Sequence, residues 1–488
     1  MTETISSSPL QDDLHPGDLL NELYVTDLTI EGFGVARRHG RVVFVDGALP
    51  GSLVSARVVS KKKQVLHAAM ESVCTPSPHA VLPWCPHAGD CGGCLWQHFS
   101  RNAALEWKQK HVGDCLARIG KCADVQVSPV LSSEAGRAFR NKMAFAFASD
   151  PHGVPILGLR RRRSQTVLPV TGCGLQRPVV MDLLASIRET IGKAGLRAWT
   201  DAGAGQRTGH DGYLRFIVVH TPDYAPRGEK QLLVECITGR NHKGRAGRLD
   251  QGSGGPTNAE AIRSLGEDLM RRFSLTGFIH TERNARSDVA QGERVIAALG
   301  SMKYTEKFGD LVLEAPYNTF LQTNTTVANL LYARIAEEAA LDGSQVLWDL
   351  YSGVGSIALY LAKGLKEAHG FEIQAEAVTA ARDNSAALGF SHCRFHAGAF
   401  TSERAASLPA PDLIIADPPR AGLEQGTLGP LLGSPAHTLM YVSCDVGTQA
   451  RDLARLAPSW KPIRSIPFDM FPYTPHVENL IVLKRRAG

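Results

Sequence analysis

The sequence predicts an α/β protein built in three parts, and three of its features carry that reading. Short β-branched runs alternate with glycines from Leu23 to Val73, a β-rich stretch fills the middle of the chain, and regular strand–helix alternation begins near Leu311. Period-2 alternation cut by glycine turns is the pattern of a small antiparallel, OB-like barrel, while strand–helix alternation is that of a parallel sheet covered by helices. At 488 residues the chain is too long for one hydrophobic core. The expected division is a flexible tail over 1–20, a barrel over 21–76, a mixed central region over 77–310 and a doubly wound α/β domain over 311–488.

Composition excludes several classes. With 43% hydrophobic and 21% charged residues, bulk disorder is not expected. No apolar run approaches the ~20 residues that span a bilayer. Met1 to Asp18 is polar and acidic and lacks the basic and apolar regions of a secretion signal. A cytoplasmic monomer without a membrane partner is therefore expected. The net charge of +5 is modest, but the lysines and arginines are clumped, which points to a polyanion. Ten cysteines in a long chain of this kind are expected as ligands, nucleophiles or packing residues, not as disulfides.

In the barrel, the runs VTDLTI, GFGVARR, RVVFVDGA and SLVSARVVS are punctuated by Gly32, Gly34, Gly40, Gly47 and Gly51. Lys61, Lys62 and Lys63 follow the fourth run, either as a solvated edge that blocks aggregation or as an RNA contact. The GFGVA and VDGALPGSLV stretches resemble a TRAM domain, an RNA-binding barrel often attached to RNA-modifying enzymes. A cysteine- and proline-rich stretch from Cys74 to Gln97 follows, then a helical pattern over about Ala103 to Arg118. The β-rich centre contains two Gly-rich insertions, Asp201 to Gly212 and Thr238 to Pro256. The second carries Arg240, Lys243, Arg245 and Arg248 and is expected to be a mobile loop.

The C-terminal part holds the candidate chemistry. WDLYSGVGSIAL places Gly353 and Gly355 where a strand turns into a helix, and Glu372 ends the next strand, where an acid can bind ribose hydroxyls. These residues also satisfy a nicotinamide dinucleotide fingerprint, so an oxidoreductase stays open at this point. LIIADPPRAGL then puts Asp417, two prolines and Arg420 at a strand's carboxyl end, a rigid wall and an acid suited to a planar base. A dehydrogenase has no evident use for that wall.

MYVSCDVGTQARDL sets Cys444 at another strand end, before a helix starting near Gly447, where the helix dipole is expected to favour thiolate. Carbon 5 of uracil is too weak a nucleophile to take a methyl from a sulfonium unaided. Thiolate attack on carbon 6 makes an enolate, carbon 5 is methylated, and a base must then remove its proton. Glu478, three residues after Pro475 and before the apolar run LIVL, is the candidate base.

At these residues the chain resembles the RNA uracil-5-methyltransferase family. FLQTN, DLYSGVGSIAL, GFEI, ADPPRAGL, YVSCD with ARDL, and TPHVENLIVL occur in the family's order. The resemblance implies a Rossmann-like methyltransferase domain that uses S-adenosylmethionine, with Cys444 as nucleophile and Glu478 as proton acceptor. It further implies that Gln322, Tyr351, Gly353, Gly355, Ser356, Glu372 and Asp417 line the cofactor and base site. Three departures stand out. Asp445-Val446 replaces a common Asn-Pro, Ser356 stands where asparagine is frequent, and Gly398 or Ala399 takes a place often acidic or amidic.

Cys85, Cys91 and Cys94 offer three soft ligands within ten residues, two of them on a CGGC turn, with a fourth thiol from Cys173 or, nearer in sequence, Cys74. Four sulfurs suit zinc or a [4Fe–4S] cluster, and spacing alone slightly favours zinc. The resemblance favours the cluster, because ribosomal-RNA members of the family carry CGGCxxQ with a distant fourth cysteine, and Gln97 completes that string. Cys115, Cys122, Cys236 and Cys393 are read as packing residues. Arg140, Lys142 and the run Arg160 to Arg163 are read as a phosphate-tracking surface. The expected substrate is a uridine of 23S ribosomal RNA, with the T-loop uridine of transfer RNA as the second candidate. A cluster-bearing RNA-binding protein without catalysis is the remaining alternative.

Overall fold

The structure is a computed structural model that describes residues 14–63, 65–199, 212–240, 257–287 and 289–486. Most of both Gly-rich insertions, including Lys243, Arg245 and Arg248, lies outside the described residues, as does most of the N-terminal tail. Internal contacts divide the chain into two compact units. The first holds Met1–Trp84, Leu95–Trp107 and Tyr473–Pro475; the second holds Cys85–Cys94, Lys108–Pro472 and His476–Gly488. No helix among the described residues is long and apolar enough to cross a membrane.

In the first unit, β1 (Leu19–Leu28), β2 (Gly34–Arg38), β3 (Arg41–Asp46), β4 (Leu53–Lys62) and β5 (Val65–Thr75) close into a barrel in the order β1-β2-β3-β5-β4. Its core is the inward half of each alternating run, including Leu23, Val25, Val43, Val45, Val54 and Leu66. The barrel has five strands where the sequence showed four clear runs. Lys61 and Lys62 belong to β4 itself, and Lys63 turns the chain at φ 51°.

After α1 (Arg101–Arg118) and β6 (Gln126–Val127), the centre of the chain forms β7 (Lys142–Ser149), β8 (Pro155–Arg160), β9 (Val167–Pro169), α2 (Pro178–Lys193), β10 (Leu214–His220), β11 (Leu233–Thr238), α3 (Asn258–Phe273), β12 (Gly277–Glu282) and β13 (Arg294–Gly300). The strands make one sheet in the order β13-β12-β11-β10-β7-β8-β9. α3 starts on a full capping box, with Thr257 accepting from the Glu260 N–H and the Glu260 carboxylate accepting from the Thr257 N–H.

The hairpin β14 (Lys303–Phe308) and β15 (Leu311–Pro316) comes next. The division expected between 310 and 311 falls at its turn. Tyr304, Phe308, Leu311 and Leu313 join the C-terminal core, while Tyr304 also packs on His220 and Thr305 bonds the Gln231 side chain of the central region.

The rest is α4 (Thr325–Ala339), β16 (Val346–Leu350), α5 (Ser356–Leu361), β17 (Glu367–Glu372), α6 (Ala375–Ala387), β18 (Cys393–Ala397), α7 (Ser402–Ala406), β19 (Leu413–Ala416), α8 (Gln425–Gly433), β20 (Thr438–Ser443), α9 (Val446–Leu456), β21 (Trp460–Phe468) and β22 (Glu478–Arg485). The sheet order is β18-β17-β16-β19-β20-β22-β21-β6, with β16 to β20 parallel and β22 antiparallel to β20. Strands β16, β19 and β20 are buried at every residue, which is why VLWDL, LIIA and TLMYVS read as unbroken apolar runs.

Candidate active site

Sheet register assembles the site. Leu350 pairs with both Ala416 and Phe371, and Ala416 pairs with Tyr441, so β16, β17, β19 and β20 end together. The next residues out are Tyr351, Glu372 and Asp417, with Cys444 just past Ser443. On the antiparallel neighbour, Ser443 pairs with Asn479, which sets Glu478 opposite Cys444 at the same edge. Ligands bind at the carboxyl ends of open α/β sheets because helix and loop backbones diverge there.

Loops hold these residues in place. Asp445 is the N-cap of α9, accepting from the Thr448 N–H at 2.8 Å, and Val446 takes the first helical position. Proline is favoured at that position, so Asp445-Val446 does the structural work of Asn-Pro. The helix begins one residue earlier than the sequence indicated. The ARDL string serves the loop after Asp417. Asp452, fully buried, accepts from Leu423 N–H at 2.8 Å and Tyr441 O–H at 3.0 Å, while Arg451 donates to Ala421 O at 2.8 Å. Sequence reading assigned Arg451 and Asp452 no role; nothing in their local pattern reveals a partner thirty residues away.

FLQTN is held from a distance. Asn141, in FRNK, donates from Nδ2 to Gln322 O at 3.0 Å and to Thr325 Oγ1 at 2.9 Å. The buried Glu306 carboxylate accepts from Thr325 Oγ1 at 2.8 Å and from the backbone of Asp223 and Tyr224 at 3.1 Å. Gln322 then presents Nε2 to Asp417 Oδ2 at 3.4 Å.

Burial dominates the electrostatics. The Asp417 carboxyl is pushed up to about 7, by desolvation against the opposing pull of Gln322. Glu478, 2% exposed, is raised well above the carboxylate range by burial and then by the neighbouring Asp417, with Arg420 opposing. Two buried carboxyls this close resist ionising together. The Cys444 thiol is pushed up to about 11, first by burial and then by Glu478, while the Arg420 guanidinium bonded to it pulls the other way. Burial and the neighbouring carboxyls thus act against the thiolate that the helix end was expected to favour. Arg420 is the group that opposes them.

On the other side, Glu372 is gripped by backbone, accepting from Gly353 N–H at 3.1 Å and Gln374 N–H at 2.8 Å. Gly353 and Gly355 have φ of 55° and 81°. A Cβ on Gly355 would sit 2.7 Å from the Phe395 ring, whereas one on Gly353 would meet nothing nearer than Phe320 O at 3.9 Å. The first glycine keeps a space open and the second lets the helix pack. Asp349 Oδ1 and Ser352 Oγ are buried beside this loop without a hydrogen-bond partner. The Asp349 carboxyl is pushed up to about 8 by burial. Two predicted residues turn elsewhere: the Tyr351 hydroxyl lies 3.2 Å from Thr427 Oγ1, and Ser356 Oγ takes a hydrogen bond from the Tyr332 hydroxyl at 3.0 Å.

Cys85, Cys91, Cys94 and Cys173 are brought near one another: after burial, Cys91 feels the charge of Cys173 and Cys85, Cys94 that of the other three, and Cys173 that of Cys85. Backbone N–H groups face the sulfurs, from Gly93 to Cys91 at 3.4 Å and from Leu175 and Gln176 to Cys173. Among the described residues no group of three or more His, Cys, Asp or Glu is drawn in as tightly as a single metal ion requires. Cys74 lies instead at the end of β5, 3.7 Å from Ser55 Oγ.

Arg140 and Lys142, expected as phosphate contacts, find partners within the protein. Both are half-buried where the chain enters β7. The Arg140 side chain sits beside Cys94 and Cys173, and Lys142 Nζ reaches toward Thr319 O at 3.5 Å with Glu235 nearby.

A family model for tRNA (uracil-5-)-methyltransferase matches residues 409–486, and a TRAM-domain model matches residues 22–70. An RNA methyltransferase of Nitratidesulfovibrio vulgaris is 38% identical over 472 residues, 94% of this chain and 96% of its own length. The chain belongs to the RNA uracil-5-methyltransferase family. An RNA methyltransferase of Halalkalibacterium halodurans is 30% identical over 469 residues, 95% of this chain and 96% of its own. The fold is shared with the Pyrococcus abyssi tRNA (uracil-54, C5)-methyltransferase, solved with S-adenosyl-L-homocysteine. Its TM-score is 0.71 at 22% identity, over 94% of this chain and 99% of that one. The protein is an S-adenosylmethionine-dependent uracil-5-methyltransferase. The space over Gly353, the clamped Glu372 and the orphan polar atoms of Asp349 and Ser352 together suit a ribose and an amino-acid tail.

Proposed function

We propose that the protein methylates carbon 5 of a uridine in 23S ribosomal RNA through a covalent adduct between the Cys444 sulfur and carbon 6. The observation that supports it most is the register pairing that sets Cys444 and Glu478 opposite each other beside Asp417. The thiolate adds to carbon 6, and carbon 5 takes the methyl group from the sulfonium. Glu478 takes the C5 proton, and expulsion of the sulfur restores the ring double bond. A carboxyl raised above its usual range is a competent base near neutral pH, because its proton affinity approaches that of the task. Gln322 and Asp417, already hydrogen-bonded to each other, suit the polar edge of the uracil. Gln322, Gly353, Gly355 and Glu372 are assigned to the cofactor and base site, with Tyr351 and Ser356 supporting it.

On this reading Cys85, Cys91, Cys94 and Cys173 hold a [4Fe–4S] cluster. The four convergent thiols and the N–H groups aimed at their sulfurs suit such a group. Anaerobically purified protein should be brown with about four iron per chain, and stoichiometric zinc without iron would overturn the assignment. Transfer RNA is the second reading, favoured by the family model over residues 409–486. Methylation mapping of total RNA from cells lacking the gene decides between them by naming the uridine that goes unmodified.

The catalytic assignment is tested by trapping. Cys444→Ala should never form a covalent RNA complex. Glu478→Gln should accumulate a methyl-labelled adduct on a denaturing gel, because general-base removal costs about 10²–10⁴ in rate. Normal product release from Glu478→Gln, without adduct, would move the base elsewhere.

A further inference from the structure

The turn between β8 and β9 carries Arg161, Arg162 and Arg163 directly after Arg160, and Arg161 and Arg163 are exposed. This turn is fastened to the cysteine segment. Gly92 N–H donates to Arg160 O at 3.0 Å, Arg162 N–H donates to Asp90 O at 2.7 Å, and Cys91 pairs with Arg161 as an antiparallel bridge. The Arg161 guanidinium also lies 3.3 Å from the Asp90 carboxylate. On the far side of the hairpin, Thr171 N–H donates to His87 Nε2 at 3.2 Å.

The two glycines of CGGC thus have different reasons to be glycine. A Cβ on Gly92 would stand 3.1 Å from Arg161 O and 3.2 Å from Arg160 O, both rigid backbone atoms. A Cβ on Gly93 would meet only the Cys91 sulfur, at 3.6 Å. Gly92 is small so that the cysteine loop can lie backbone to backbone against the arginine turn. Arg163 adopts φ 49°, a left-handed conformation that a free turn would tend to relax.

We propose that the Cys85–Cys94 segment is a clamp that pre-orders the arginine turn for RNA phosphates, so that the state of the cysteine site sets RNA affinity. The proposal rests on RNA being the substrate and on the four thiols holding a metal cluster. A turn ordered before binding gives up less conformational freedom when it meets the backbone of the nucleic acid. The charged groups are supplied by the hairpin, and the cysteine site contributes their geometry. Loss or oxidation of that site would then weaken RNA binding while leaving the arginines in the chain.

The test is fluorescence anisotropy of a labelled uridine-loop RNA hairpin with anaerobically purified full-length protein, over rising potassium chloride. Arg161→Ala with Arg163→Ala should weaken binding about tenfold and flatten the log–log salt slope by about 0.7–0.9 for each phosphate no longer neutralised. Gly92→Val, which changes no charge, should flatten the slope in the same direction, while Gly93→Ala should do so far less. Iron stripping of the wild type should also flatten it, and should add nothing in the double arginine variant, since the same ion pairs cannot be removed twice. Salt slopes that stay at the wild-type value in Gly92→Val, or effects of stripping and of the arginine variant that simply add, would overturn the clamp. Failure of the parent reading is separately visible, as absent iron or absent uridine methylation. The arginine and Gly92 arms need neither.

Discussion

At the Cys444 sulfur two fields oppose each other. Burial and the Glu478 carboxyl hold the thiol up near about 11, while the bonded Arg420 guanidinium favours the thiolate. Thiolate is the reactive form. Alkylation of the Cys444 peptide by iodoacetamide should therefore keep accelerating beyond pH 9, where a free cysteine levels off. Arg420→Leu should slow it several-fold at fixed pH, and Glu478→Gln should speed it, because each removes one of the opposing charges. Rates that plateau near the ordinary thiol value would contradict this account. Asp417 offers a stability counterpart. Its folded carboxyl is raised to about 7, so between the ordinary range near 4 and that value the folded state holds the proton more tightly than the unfolded chain. Stability contributed by the neutral group is present at low pH and lost as pH rises through about 7. Asp417→Asn removes this loss. It should gain on the wild type by at most a few kcal/mol at pH 8 and by little at pH 4.5, read as denaturant midpoints, while methylation collapses.

Among the elements, the clearest dependence is that of the FLQTN loop on two distant residues. Asn141 and the buried Glu306 hold it through Gln322 O and Thr325 Oγ1. Asn141→Ala leaves those acceptors short of a donor in a dry site and should cost about 1–3 kcal/mol of stability. It should also lower kcat/KM more than Thr325→Val, because only Asn141 bonds the Gln322 backbone directly. Equal kinetic effects would mean that the loop is held mainly by Glu306. Elsewhere the element ends are strongly determined by local sequence, as with the Asp445 cap of α9 and the Thr257–Glu260 box of α3.

For the whole molecule, the barrel is expected to supply affinity and not chemistry. Lys61, Lys62 and Lys63 lie along and just past β4, in the region matched by the TRAM domain. Replacing all three by alanine should lower the salt slope of RNA binding by up to about 2–3, since each phosphate left without its lysine accounts for about 0.7–0.9. Turnover on saturating RNA should fall much less. An unchanged slope would assign those lysines to the solvated edge of a strand. The N-terminal barrel, the fold class and the family were legible in the sequence for a common reason. Glycine turns, period-2 runs, buried apolar strands and strand-end motifs act over a few residues, and their signals are local. The glycine loop over Gly353 and Gly355, the ADPPRAGL wall and the VSCD strand end are of that kind. What only the tertiary structure decided depends on groups far apart in the chain. It set Cys444 opposite Glu478 through strand register, and it raised rather than lowered the thiol. It brought Arg140 beside Cys94 and Cys173, packed apolar side chains of the β14–β15 hairpin into the C-terminal core, and laid Gly92 against the arginine turn. Burial and long-range pairing are properties of the folded chain, and no short stretch of sequence encodes them alone.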